Sequence, residues 1–526
     1  MSSKKKTKTH FLKNLRDKVR GRNDTSKSST NGSSKSSKHS KEKASKSHGA
    51  SSHSTAGGKA HGNTSSSPPS LSALRSGAPT LDELLVALPS IREVKEPDEK
   101  RKLFIQKLRL CSYTFDFNTE AQKKEADARE MKRRMLVELI DHLSSSKIWV
   151  SEESLKAILH MISSNLFRPL PPSLYKDFDP DEDEPTHDPA WVHLQFVYEF
   201  LLRFIVSNNT DAKMLKKFID RKFLLSIIDL FKSEDPRERD YLKTILHRIY
   251  GKFMSFRSFL RRAINNEFYQ VIYVSQRHNG LAELLEILGS IINGFATPLK
   301  EEHQKFLRNV LIPLHKVQTL NQYHAQLAYC VVQFIEKDPR LSSVVIGGLL
   351  KFWPIISCSK ELLFLSELEE VLEMTEQPQF EKLIEPVFKR IAACICSPHF
   401  QVAERALFLW NNDAIAAFMS DHRPVILPIL YPALHTNLEQ HWNNTVTQLT
   451  THILQQFMDM DEKLFKQVEQ RYKDEHRPQE TAQRRSAKWD TVKKQTEGVY
   501  TNGSTNHQTT TNYALQSNQQ RPQQSV

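Results

Sequence analysis

The chain has 526 residues, a formal net charge of +13 and 39% hydrophobic residues, the low side for a sequence folded throughout. Charge is unevenly spread: residues 1–80 hold 17 Lys and Arg against Asp17, Asp24 and Glu42, leaving 57 basic and 58 acidic residues elsewhere. A near-neutral body argues against a groove that tracks nucleic-acid phosphates.

In chain order, the first segment is a Ser/Lys-rich stretch, residues 1–80, with almost no large apolar residues after Val19. It cannot bury enough apolar surface to offset its ordering entropy and is predicted as a disordered tail. Phe11, Leu12, Leu15 and Val19, set among Lys13, Arg16, Lys18 and Arg20, offer a short basic amphipathic helix as the alternative to disorder. There is no apolar signal core, and no run approaches the ~20 apolar residues of a membrane span. A soluble protein of cytoplasm and nucleus, without stable membrane insertion, is the expectation.

From residue 81 to 476 the pattern becomes repeated amphipathic helices. Acids at alternate positions in Asp177–Pro185 approach a calcium loop, but Pro180 and Glu182 stand where the turn is shaped and Asp188 where a Glu is needed. The stretch reads instead as an acidic loop, solvated or facing a basic partner. Every charged residue between Asp240 and Glu267 is basic. Gly251 and Ser255 predict that one helix ends and another starts there, with Ser255 as N-cap. Leu281, Leu284, Leu285, Leu288, Ile291 and Ile292 mark one buried helical face. Turns are predicted at Asp235-Pro236, Asn279-Gly280, Asp338-Pro339 and Ser397-Pro398.

A weak repeat follows. Pro313-Leu-His-Lys, Gly348-Leu-Leu-Lys, Pro386-Val-Phe-Lys and Pro428-Ile-Leu-Tyr recur at intervals of 35, 38 and 42 residues, each before a second helix such as Gln401–Met419 or Trp442–Met460. Helix pairs at this period predict an all-α, curved solenoid of HEAT-like repeats. Trp353, Trp410 and Trp442 are placed at helix positions as core anchors. Cys111, Cys330, Cys358, Cys394 and Cys396 are read as buried, reduced thiols, and the lone C-x-C pair lacks the partners of a zinc site. Residues 477–526, rich in Gln, Asn, Thr and Ser, are predicted as a second disordered tail. Phosphate-cradling Gly-rich loops, a G-x-S-x-G elbow and H-E-x-x-H are all missing, so no enzyme, metal or cofactor is expected.

The chemistry sits around residues 247–303. His247, Arg248 and Tyr250 end one predicted helix and Arg257 and Arg261 start the next, while Glu286, Ile287 and Ile291 lie on the following helix, ahead of Lys300 and His303. An apolar floor with a cationic rim suits an apolar peptide carrying acids; the same pattern also fits core isoleucines beside solvated arginines.

Several strings carry a resemblance: Ser233-Glu-Asp-Pro-Arg-Glu-Arg-Asp240, Leu246-His-Arg-Ile-Tyr-Gly-Lys-Phe253, Leu284–Phe295, Pro313-Leu-His-Lys316, Asn321–Phe334 and Ser397–Ala406. From about Leu103 to Tyr472 the chain resembles the B-prime family of protein phosphatase 2A regulatory subunits. The resemblance implies a non-catalytic subunit that joins a scaffold subunit and a catalytic serine/threonine phosphatase subunit. It also implies substrate selection by docking Leu-x-x-Ile-x-Glu peptides, acidic or phosphorylated, on His247, Arg248, Tyr250, Arg257, Glu286, Ile287, Ile291, Lys300 and His303. Glu182, Asp183 and Glu184 would then face the catalytic subunit. The rival expectation is a general solenoid adaptor or transport carrier.

Overall fold

The computed structural model describes residues 79–118, 122–145, 151–171, 184–210 and 212–501. Residues 1–78 and 502–526, which make up most of the two predicted tails, lie outside the described residues, as does the segment around Phe11. Among the described residues helix is the only regular secondary structure.

The main helices are α1 (Pro97–Cys111), α2 (Lys123–Ser145), α3 (Glu152–Leu166), α4 (Trp191–Val206), α5 (Arg221–Asp229), α6 (Pro236–Lys252), α7 (Arg257–Gln270), α8 (Leu281–Asn293) and α9 (Glu301–Phe306). They continue as α10 (His324–Lys337), α11 (Ser342–Lys351), α12 (Cys358–Glu373), α13 (Ile384–Ile395), α14 (Phe400–Leu407), α15 (Asp413–Asp421), α16 (Arg423–Gln440), α17 (Asn444–Met460) and α18 (Glu462–Thr501). Their starts follow local chemistry. Asp220, Asp235, Asn412 and Asn443 each accept a hydrogen bond from a backbone N–H of the first turn they precede, and Pro97 and Pro236 occupy first-turn positions where no donor is lost.

Stacking is repetitive. In one row α2, α4, α6, α8, α10, α12, α14 and α17 each touch the next, while the alternate helices pack as a second row, with α11 on α13 and α13 on α16. This is an all-α helical-repeat solenoid, in which each unit buries its apolar face only against its neighbours. One continuous core runs from Leu84 to Phe457.

The same capping device recurs along both rows. In the first row, Lys252 donates to the Ile205 and Ser207 carbonyls at 2.7 and 2.9 Å, and Lys337 to those of Asn293 and Phe295 at 2.8 and 3.0 Å. In the second, Asn165 donates to Cys111 O at 2.9 Å and Asn437 to Ile395 O at 2.8 Å. Each helix thus satisfies carbonyls that the preceding helix's own C-terminus leaves open.

The repeat markers and the four turns fall as expected, but several local readings need correction. Phe256, not Ser255, precedes α7; Ser255 sits in a 3₁₀ turn over Met254–Phe256. The predicted helix Gln401–Met419 is two helices, because the Asn412 side chain caps a new start at Asp413. Trp353 and Trp410 are buried, though Trp353 lies in the turn after α11. Trp442 precedes α17 and is 70% exposed; its indole donates to Pro398 O at 3.0 Å and fastens a turn rather than a core. Cys358 is half-buried and Cys396 exposed, since a residue two places from buried Cys394 points to the opposite side of α13. The last helix runs beyond residue 476, to Thr501.

Gly280 marks a close approach. A Cβ there would lie 2.5 Å from the Phe231 carbonyl oxygen and 2.8 Å from the Phe231 Cβ. Gly280→Ala is therefore expected to cost about 1–3 kcal/mol, read as a lower denaturant midpoint at unchanged slope. An unmoved midpoint would mean that this junction yields freely.

Candidate functional site

Helices α6 and α8 are registered by two ion pairs, Arg239–Glu283 at 2.9 Å and Lys243–Glu286 at 2.8 Å. Glu286 is thus already engaged by Lys243, a residue outside the set expected from sequence. Beneath this pair Ile287 and Ile291 are 2% and 6% exposed, so they form a closed floor and present little open apolar surface.

The next residues converge on Tyr250. Arg257 donates to the Tyr250 and Gly251 carbonyls at 3.0 and 3.3 Å, and its guanidinium stands 5.2 Å from the Tyr250 ring centroid. It therefore caps the C-terminal end of α6 as well as supplying charge. Arg261 donates to the Tyr250 hydroxyl at 3.1 Å and faces Glu302 at 3.5 Å, and Glu302 lies 3.3 Å from His303 Nε2. His303 stacks flat on Phe295, with centroids 3.7 Å apart, and its buried Nδ1 has no hydrogen-bond partner within the chain. Burial lowers the His303 pKa against the opposing pull of Glu302, so the ring is neutral near pH 7. Lys300, just before α9, is exposed.

His247 and Arg248 are exposed on α6 and line a cleft of about 460 Å³ with the Ile205–Thr210 connection. Desolvation and the adjacent Arg248 charge lower the His247 pKa. The nine expected residues therefore occupy neighbouring elements: Tyr250, Arg257 and His303 are joined through Arg261 and Glu302, while His247 and Arg248 open toward α4. Arg261 was legible in the basic run, but Glu302 and Phe295 carried no separate signal.

Of the expected acidic loop, Glu182 and Asp183 lie outside the described residues, and Glu184 is exposed. The residues bracketing the loop are held firmly. Arg168 spans Asp188 and Glu238, and Asp188 N donates to the Asp235 carboxylate at 3.0 Å. Among the described residues no group of His, Cys, Asp or Glu has the spacing of a metal site, and no helix is long and apolar enough to cross a membrane.

Comparison with known proteins bears on this solenoid directly. The family model "protein phosphatase 2A regulatory B subunit (B56 family)" matches residues 88–496. The chain belongs to this family. It is 52% identical over 408 residues to the B' beta isoform of the 57 kDa regulatory subunit of serine/threonine protein phosphatase 2A from Arabidopsis thaliana, a match covering 76% of this chain and 81% of that one. The delta isoform of the 56 kDa regulatory subunit from Oryctolagus cuniculus is 52% identical over 394 residues, covering 74% and 67% respectively. The Caenorhabditis elegans regulatory subunit pptr-1 is 50% identical over 407 residues, covering 77% and 74%. A member of the B56 family is a regulatory subunit, and the chain is not itself the phosphatase.

Proposed function

We propose that this B56-family chain joins a phosphatase 2A scaffold and catalytic subunit and selects substrates by docking short acidic Leu-x-x-Ile-x-Glu peptides. The observation that carries the reading is the linked set Tyr250–Arg261–Glu302–His303, with Arg257 over Tyr250 and exposed Lys300 and Arg248 beside it. Fixed cations around a largely covered isoleucine floor favour a peptide whose carboxylates or phosphates do most of the binding and whose apolar residues fit shallow recesses. The unpaired Nδ1 of His303 adds a neutral ring able to exchange a hydrogen bond with an incoming group. In the same reading the acidic loop of Glu182, Asp183 and Glu184 faces the catalytic subunit, its stem held by Arg168 and Asp188. The adaptor or carrier alternative gains nothing from the comparisons.

Because Arg257 also caps α6, its removal mixes folding with binding. His247 and Lys300 give the cleaner test. Titrating a Leu-x-x-Ile-x-Glu peptide by calorimetry, His247→Ala and Lys300→Ala are each expected to lose about 1–3 kcal/mol of affinity without a change in thermal stability. Unaltered affinities in both variants would sink the groove assignment. Affinity capture followed by mass spectrometry tests the assembly itself, which requires scaffold and catalytic subunits in equal amounts.

A further inference from the structure

A second concave site crosses the other row of helices. It is a cleft of about 560 Å³ reached by α7, the helical stretch that α9 begins, and α11, and it shares no residue with the groove around Tyr250. Two wide π-helical turns border it. Val271–Ser275, at the end of α7, supplies Tyr273, and Leu307–Leu311, continuing α9, supplies Arg308. Such turns interrupt the regular helical hydrogen-bond ladder and are found disproportionately where a helix serves a ligand.

The lining is cationic and aromatic, without an acidic residue. Arg308, Lys316 and Lys351 are exposed, and among the described residues none of them makes an ion pair; Lys316 lies 4.8 Å from the Tyr273 ring centroid. Tyr273 stacks on Tyr269, with centroids 6.1 Å apart, yet remains 63% exposed. Gly347 leaves the floor bare, since a Cβ there would meet nothing within 4 Å. Three like charges gathered around an aromatic pair, of which Tyr273 is open and Tyr269 half-buried, carry mutual repulsion that an acidic ligand relieves. The aromatic faces add an apolar anchor point.

Size narrows the occupant. Neighbouring packed helices stand about 8–10 Å apart, so a path across three of them is about 20 Å, or roughly six residues of extended chain at ~3.3 Å each. We infer that this cleft is a second docking site, for an extended acidic peptide segment of a partner protein with an aromatic or aliphatic residue among its carboxylates. The segment lies across the three helices, its apolar side chain against Tyr269 and Tyr273 and its acids on Arg308, Lys316 and Lys351. A regulatory solenoid so equipped holds a partner and a motif peptide at once, and the effective concentration of one rises with capture of the other.

The test uses the full chain and a fluorescein-labelled heptapeptide, Asp-Glu-Asp-Phe-Asp-Glu-Asp, read by fluorescence polarisation at low salt, where exposed charges are least screened. Gly347→Phe sets a ring on the bare floor, where the added Cβ itself meets nothing within 4 Å, and the double change Arg308→Glu/Lys316→Glu reverses the rim. Each is expected to weaken binding at least ~10-fold, about 1.4 kcal/mol, whereas an excess of unlabelled Leu-x-x-Ile-x-Glu peptide is expected not to displace the probe, which separates the two grooves. Unfolding curves of all variants are recorded alongside; if Gly347→Phe fails to fold, the rim variant decides. Three outcomes overturn the site: no binding to the wild-type chain, equal binding to wild type and both cleft variants, or phosphatidylserine vesicles captured through these residues while the peptide is not. None of them touches the motif-peptide reading, whose own variants lie in the other groove.

Discussion

Glu238→Ala is expected to lower the unfolding free energy by about 3–5 kcal/mol, the scale for stranding a buried charge by removing its partner. Glu238 is fully buried near the start of α6 and gathers donors from three other elements. Arg168, after α3, binds it in two-pronged fashion at 2.9 and 3.1 Å; the Tyr198 hydroxyl from α4 and the Ser233 hydroxyl complete the set. Removing the carboxylate leaves the Arg168 guanidinium with Asp188 and a long bond to the Leu166 carbonyl, and the buried Tyr198 hydroxyl with nothing to donate to. The Tyr198 hydroxyl cannot reach water without opening the repeat, whereas Arg168, 20% exposed, reaches it in part. Because Asp188 anchors the far end of the acidic loop, the damage should spread there: hydrogen exchange at 184–190 is expected to accelerate more than at α13 or α16. A denaturation midpoint within error of wild type would show that Arg168 finds another acceptor. Replacing Arg168 and Glu238 together by apolar residues of similar size is expected to cost less than Glu238→Ala alone, because no charge is then stranded.

That cluster shows what could be read in advance. Ser233–Asp240 drew attention as a string of family type, yet nothing in it distinguishes Glu238, which is fully buried, from half-buried Glu234 or exposed Asp240. Burial depends on Arg168 and Tyr198, 70 and 40 residues away. Local chemistry was legible: the Asn279-Gly280 turn, the buried face of α8 and the pairing of helices near 40 residues all follow from spacing and turn residues. Where one side chain's local hydrogen bond competed with periodicity, periodicity misled; Asn412 splits a stretch whose apolar pattern runs on. The groove was half legible. Residue types on α6, α7 and α8 indicated cations over isoleucines, but the near-complete covering of Ile287 and Ile291, the capping duty of Arg257 and the seat of His303 on Phe295 are set by tertiary contacts.

The largest pH effect should come from the centre of the solenoid, where Glu367 on α12 meets His315 and His324. His315 is buried, with Nδ1 3.0 Å from the Leu311 and Ile312 carbonyl oxygens and Nε2 3.1 Å from both Glu367 oxygens. Both nitrogens face acceptors, so both carry protons and the ring is an imidazolium. Burial opposes that charge, but the Glu367 carboxylate and the hydrogen bonds outweigh it and raise the His315 pKa. Burial likewise opposes the charge on Glu367, and the two histidines hold its pKa at about 2. Glu367→Leu, close in volume, strands the imidazolium and should cost about 3–5 kcal/mol at pH 6. The sign of the pH dependence differs on the two sides. A raised histidine pKa stabilises fully below the unfolded value near 6.5 and is lost as pH rises through the folded value. A depressed carboxylate pKa stabilises above the unfolded value near 4.5 and is lost as pH falls toward about 2. The cost of Glu367→Leu should therefore be greatest between about pH 4.5 and 6.5, shrinking toward pH 9 as the wild-type imidazolium loses its proton. Neighbouring Glu370, raised to about 7 by burial and by the surrounding carboxylates, titrates in both proteins. With Glu367 gone, the Glu370 pKa should fall, which adds to the loss of the wild-type advantage as pH rises toward about 7. Urea unfolding of both proteins at pH 6 and pH 9 decides the matter: an equal cost at the two values would mean that Glu367 acts only by filling space, with no ion pair at His315.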